Sequence, residues 1–177
     1  MPVTYFVNGT SPVGPFTQDF EDLLIAFLYS KWSISTPAKD GTNLVDEDTP
    51  LAFRPGLPDD RHPFQVLALT DETVLIDKPG FRTSRYETSV IVSVIAERIA
   101  KDNIDASPDT VGNIGNMERE VLRILAQYTT FQIAGIENIY FTNAKRIYEP
   151  DDDFAKSRWR TDIRVVMNYT ITGEALP

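Results

Sequence analysis

The stretch that decides the fold runs from Ser157 to Ile171, SRWRTDIRVVMNYTI. From Trp159 onward every second residue suits a core: Trp159, Thr161, Ile163, Val165, Met167, Tyr169 and Ile171. Between them stand Arg160, Asp162, Arg164, Val166, Asn168 and Thr170, the pattern of a solvated or partner-facing side. A period of two over this length predicts one long half-buried strand. Arg158, Arg160 and Arg164 face only Asp162 on the second side, a local excess of positive charge in an otherwise acidic chain.

Working outward, a hairpin is expected ahead of this strand. Residues 136–148 are apolar enough for a strand, but their alternation is imperfect, which predicts a bulge. The turn 149–157 between the two carries Asp151, Asp152 and Asp153 at its tip. Residues 86–98 are dense in β-branched side chains (Thr88, Val90, Ile91, Val92, Val94, Ile95) and apolar on both faces. That composition predicts a central strand. Two shorter strands are expected at 64–69 and 73–77, separated by a polar turn at Thr70, Asp71 and Glu72.

Two segments follow the helical period instead. Phe20, Leu23, Leu24, Phe27 and Leu28 form one stripe over 18–31, with Thr17 as cap and Asp19, Glu21 and Asp22 near the positive end of the dipole. Met117, Val121, Ile124, Leu125 and Tyr128 form a second stripe after Asn116 as cap, with Glu118, Arg119, Glu120, Arg123 and Gln127 facing out. The Gly112 to Gly115 stretch is expected to be a turn before that helix, since neither Lys nor Ser/Thr follows where a phosphate loop needs one.

Eight of the 12 prolines fall within residues 1–63, so irregular chain is expected there. Residues 1–15 read as an extended arm. The remainder, 16–177, reads as a single α+β domain whose mostly antiparallel sheet of four to five strands carries two amphipathic helices, with a long irregular loop at 33–63. Both irregular segments keep apolar anchors (Val3, Tyr5, Phe6, Leu51, Phe53), which predicts that neighbouring subunits order them. The expected core joins Leu24, Phe27, Leu28, Val92, Val94, Val121, Ile124, Leu125, Ile163, Val165 and Met167.

Composition narrows the chemistry. A 177-residue chain that is 42% hydrophobic and 24% charged has room for one real core. The absence of cysteine removes disulfides, thiolate catalysis and cysteine zinc sites together. With 26 acidic and 17 basic residues the net charge is −9, against a protein whose task is gripping nucleic acid, though not against one past which DNA slides. No apolar run is long enough for a bilayer, and the first basic residue is Lys31, which predicts a protein kept in a cytoplasm-like compartment.

Catalytic groups are not expected. The single histidine, His62, lies between Arg61 and Pro63 and reads as an exposed or half-exposed loop residue. Asp151 to Asp153 and Asp59-Asp60 lack the alternating ligands and glycine of a calcium loop and read as solvated turns. No cofactor or metal is expected. For the arginines two readings stand. One is cross-strand ion pairing on a wet face, worth roughly 0.2–1 kcal/mol per pair. The other makes Arg158, Arg160, Asp162 and Arg164 a subunit interface that meets acidic groups of another copy.

The order of elements, a helix, several strands with one long β-branched strand, a second helix and a hairpin ending in RWRTDIRVVMNYTI, resembles that of the tail-terminator, or tail-completion, proteins of long-tailed phages and related viruses. The resemblance covers about 17–171, without most of the 33–63 loop, and rests on this pattern. It implies a non-enzymatic hexameric ring in the virion, assembled in the host cytoplasm, that caps the tail tube and joins it to the head. Its partners would be the tail-tube and head-tail connector proteins, with DNA only in passage and no membrane. In such a ring the Asp151 to Asp153 tip would suit a channel wall, since arginines there would hold phosphates. The long first loop departs from a minimal terminator and leaves another connector or neck protein of the same particle as an alternative. A small cellular binding domain, or an enzyme built on carboxylates alone, stands further off.

Overall fold

The fold is described from a computed structural model, which describes residues 17–35, 37, 39, 51–58, 62–80, 83–97, 109–127, 136–150 and 158–172. Their order is α1 (Thr17–Lys31), β1 (Leu51–Pro55), β2 (Phe64–Gly80), β3 (Thr83–Glu97), α2 (Asp109–Gln127), β4 (Ile136–Glu149) and β5 (Arg158–Thr172). One five-stranded sheet has the order β1-β2-β3-β5-β4. All neighbours are antiparallel except β1, which runs parallel to β2. The architecture is the expected α+β one, and the β-branched strand lies at its centre.

β5 faces as its alternation predicts. Thr161, Ile163, Val165, Met167 and Tyr169 are buried under the helices, opposite Val94, Val92, Val90, Thr88 and Tyr86 of β3. α2 lays Ile114, Met117, Val121, Ile124 and Leu125 on this face, and α1 adds Phe20, Leu24, Ile25 and Leu28. Of the expected core only Phe27 sits at its margin, half-buried, while Ile25 takes a central place. Tyr169 anchors the middle, tilted on Phe20 at 4.6 Å and stacked on Tyr86 at 5.5 Å between ring centroids. Its hydroxyl, pushed up to about 12 by burial, shares a hydrogen bond of 3.2 Å with Thr88 Oγ1, which in turn meets Thr73 Oγ1 at 2.9 Å. The buried hydroxyls of Tyr169 and Thr88 are thus satisfied by a thread that leads out to the exposed Thr73.

Five expectations are corrected. The two short strands at 64–69 and 73–77 are one strand of 17 residues, because the predicted turn at Thr70 to Glu72 is a bulge that the pairing with β3 passes through. Leu51–Pro55, inside the stretch expected to be loop, is an edge strand whose Leu51, Ala52 and Phe53 are buried in this chain's own core. Gly56, at φ +88°, ends β1, and its N–H donates to Ala68 O at 2.8 Å. The second helix begins at Asp109 rather than at Met117, so Gly112 to Gly115 is helical; Pro108 next to Asp109 is the sequence signal for that start. His62 is 1% exposed rather than on the surface, and its carbonyl accepts from Gln65 Nε2 at 2.9 Å. The arm at 1–15 and the tip Asp151 to Asp153 lie outside the described residues. The bulge expected in β4 is present, with register shifts at Ile136/Asn138 and Phe141/Asn143.

The fifth correction concerns Glu120, expected to face out and in fact 3% exposed. Its Oε1 accepts from Ser33 N at 2.7 Å and Ser33 Oγ at 2.9 Å, and Arg123 Nε donates to Oε2 at 2.8 Å. Arg123 also donates to Lys31 O at 3.0 Å, closing an orphan carbonyl at the end of α1. Glu120 and Arg123 therefore tie the exit of α1 to α2. Glu21 does similar work at the other end: its Oε1 accepts from Thr70 N at 2.6 Å, beyond the last β1 partner of β2.

Two outcomes are expected. Val165→Asp or Leu125→Asp, each placing an unpaired carboxylate in the core, costs roughly 4 kcal/mol or more and abolishes the cooperative thermal transition followed by circular dichroism. Arg123's hydrogen bond, with Ser33 adding to it, holds the Glu120 carboxyl below its ordinary value of 4.5 against the opposing pull of desolvation. Stability from this group is therefore complete above the unfolded value and is lost as pH falls through the lower folded one. Glu120→Gln should cost about 1.5–3 kcal/mol at neutral pH. Denaturation curves of the two proteins should converge in acid.

Candidate assembly interface

The face of β5 turned away from the helices carries the arginines, and its neighbours decide what they do. Arg158 Nε lies 2.5 Å from Glu149 Oε2, and Arg160 Nη1 lies 2.5 Å from Glu149 Oε1. Arg160 Nε is also 3.0 Å from Asp162 Oδ1, but its N–H is not aimed there; that oxygen accepts from Ser93 Oγ at 2.7 Å. The Arg160–Asp162 contact is thus electrostatic and not a hydrogen bond. Arg164 Nη2 reaches Asp71 Oδ2 at 3.1 Å and Ser89 Oγ at 3.1 Å, with Glu72 Oε2 at 3.9 Å.

Arg158, Arg160 and Arg164 are therefore matched by Glu149, Asp162, Asp71 and Glu72 of the same chain. The positive excess counted along β5 vanishes across the sheet, since β4 and the bulge of β2 supply the carboxylates. The structure brings together the four expected interface residues on one ladder. The sequence missed Glu149 and Asp71, which only the strand pairing places beside them.

Next to Arg164 the twisted sheet forms an open concavity of about 410 Å³, bounded by Glu72, Val74, Glu87, Ser89, Tyr140, Thr142, Asn143 and Val166. Tyr140 Oη donates to Glu87 Oε2 at 3.4 Å, and its hydroxyl is pushed up by desolvation and by that carboxylate. On the helix side Arg146 of β4 pairs with Glu118 of α2 at 2.5 Å, and Thr161 Oγ1 donates to the same carboxylate at 3.1 Å.

The borders of the sheet are its less finished part. β4 is an edge strand of 14 residues, and β1 covers β2 only along Phe64 to Ala68. Leu69, Val74, Leu75 and Ile76 on β2, and Tyr140, Phe141 and Tyr148 on β4, are 36–51% exposed. Edge strands of soluble proteins are usually blunted by charge or proline. The run Val74-Leu75-Ile76 between Glu72-Thr73 and Asp77-Lys78 was the signal for this in the sequence. Among the described residues no group of three or more His, Cys, Asp or Glu side chains is placed to hold a metal, and no helix is long and apolar enough to cross a membrane.

No protein-family model matches the chain, and no curated protein does. Among solved structures, a chain described as "Virion of native gene transfer agent (GTA) particle" is similar over 88% of this chain and 99% of its own length, with 13% identity and a TM-score of 0.47.

The ladder is half-exposed, so each ion pair contributes modestly. Arg160→Glu combined with Arg164→Glu places two further carboxylates among four. The variant should stay folded with a lowered melting temperature, and the deficit should shrink between low salt and about 1 M salt as screening shortens to roughly 3 Å. Thermal melts at the two salt concentrations check this.

Proposed function

We propose that this chain is a structural, non-enzymatic protein of a phage-like particle, the tail terminator, whose copies form a hexameric ring that caps the tail tube and joins it to the head. The observation that carries this reading is the pair of long sheet borders with apolar side chains in water, a feature that association of copies would remove. The order of elements, in which the terminator resemblance consists, agrees with the order in the fold.

In such a ring the tail-tube protein and the connector lie on either side, the particle is where the protein resides, and DNA passes through without being held. The ladder of Arg158, Arg160, Asp162 and Arg164 lies at the boundary with an adjacent copy or ring, where its half-exposed groups meet a partner's charges. The tip Asp151 to Asp153 faces the channel, since carboxylates repel phosphates.

Light scattering after size exclusion, with electron microscopy of the same fractions and of fractions mixed with tail tubes, is the test. The expected result is a ring of six copies, alone or at tube ends. A protein that stays monomeric at every concentration and leaves tubes uncapped would overturn the reading. In the same assay Arg160→Glu with Arg164→Glu should assemble less well, most of all at low salt.

A further inference from the structure

The geometry points to a specific contact between copies: the outer border of β4 in one copy continues the sheet onto the uncovered border of β2, Glu72 to Gly80, in the next. This deepens the ring reading and rests on it, naming the surfaces through which the ring closes.

Strand direction is the first ground. β2 is antiparallel to β3, β3 to β5 and β5 to β4, so β4 runs opposite to β2. Copies placed side by side in one orientation therefore bring β4 against the next β2 as an antiparallel pair, continuing the alternation already in the sheet. Among the described residues nothing pairs with the outer border of β4, and β1 ends opposite Ala68.

Side chains match on both faces. Register places Leu75 on the helix side at the β2 border, and Phe141 and Tyr148 on that side at the β4 border. On the opposite side stand Leu69 and Val74 at one border and Tyr140 at the other. All six are exposed in the single chain, and joining the borders buries apolar against apolar on each face.

Charge agrees. Lys145 of β4 is exposed and makes no ion pair among the described residues. It lies on the same face as Glu72 of β2, which is 63% exposed and whose one ion pair among the described residues, with Arg164, is long at 3.9 Å. The contact is head-to-tail, so it builds a ring where the rotation between copies closes, and not a two-fold dimer. A two-fold pairing of β4 with β4 would leave Val74, Leu75 and Ile76 in water.

The absence of cysteine makes the test direct. Val74→Cys marks the β2 border, and Asn138→Cys, Tyr140→Cys and Asn143→Cys mark successive positions of the same face of β4. Under mild oxidation a mixture of the Val74→Cys protein with one β4 variant should yield a disulfide-linked pair, while neither variant alone should. Self-linking of a β4 variant alone would overturn the head-to-tail contact. So would an assembled oligomer in which no mixed pair forms.

Charge reversal supplies a second readout that no disulfide geometry limits. Lys145→Glu and Glu72→Lys should each weaken self-association roughly 3- to 10-fold, and together restore it. Failure of the double reversal to restore would count against the contact. Light scattering separates the two hypotheses: an oligomer lacking the cross-border link refutes only the contact, whereas a monomer at every concentration refutes the ring.

Discussion

The pairing of β3 with β5 is the constraint on which the rest of the structure depends. Fifteen residues of each strand align without a register shift, from Thr83 opposite Thr172 to Glu97 opposite Arg158. In that register Val90, Val92 and Val94 meet Val165, Ile163 and Thr161 on one face. A slip of one residue would turn those side chains to water and bring Arg160 and Arg164 under the helices. With the central pair fixed, β2 and β4 add on either side, and their bulges fall where, among the described residues, no further strand pairs with the outer border.

The two faces of the sheet then follow different energetics. Under the helices burial dominates: a Leu or Val fully removed from water contributes on the order of 1.5–3 kcal/mol, and polar groups admitted there are hydrogen-bonded, Thr88 and Tyr169 to each other and Thr161 to Glu118. Across the opposite face the ion ladder is half in water, where each pair contributes about a kcal/mol or less. The ladder therefore balances charge across the sheet more than it holds the chain together. Glu120 differs from those pairs. It is buried and bonded to Ser33 and Arg123, so it joins the end of α1 to α2.

This division bears on assembly. A domain whose central strands are well packed can leave its borders unfinished, because the borders contribute little to its own stability. Water-exposed Val74, Leu75, Phe141 and Tyr148 cost the isolated chain little, yet they are the groups that a neighbouring copy would cover. A ladder already balanced by Glu149 and Asp71 keeps little net positive charge with which to hold phosphates.

Local period was enough to set the facing of β5, the central place of β3, the apolar stripe of α2 and the bulge in β4. A residue's alternation along a strand or around a helix is fixed by its own few neighbours. Other features waited for contacts between residues far apart in the chain. Phe53 becomes core only because β2 offers a border to pair with, and a proline-rich context conceals that strand. Asp71 reads as a turn until β3 carries the pairing past it as a bulge. Glu120 reads as solvent-facing until Ser33, 87 positions earlier, is folded against it. The arginines of β5 gain their carboxylates from β4 and β2, so their balance is a property of the sheet and not of the strand. Periodicity records which side of an element is apolar; which partner meets the other side is decided only when the chain closes on itself.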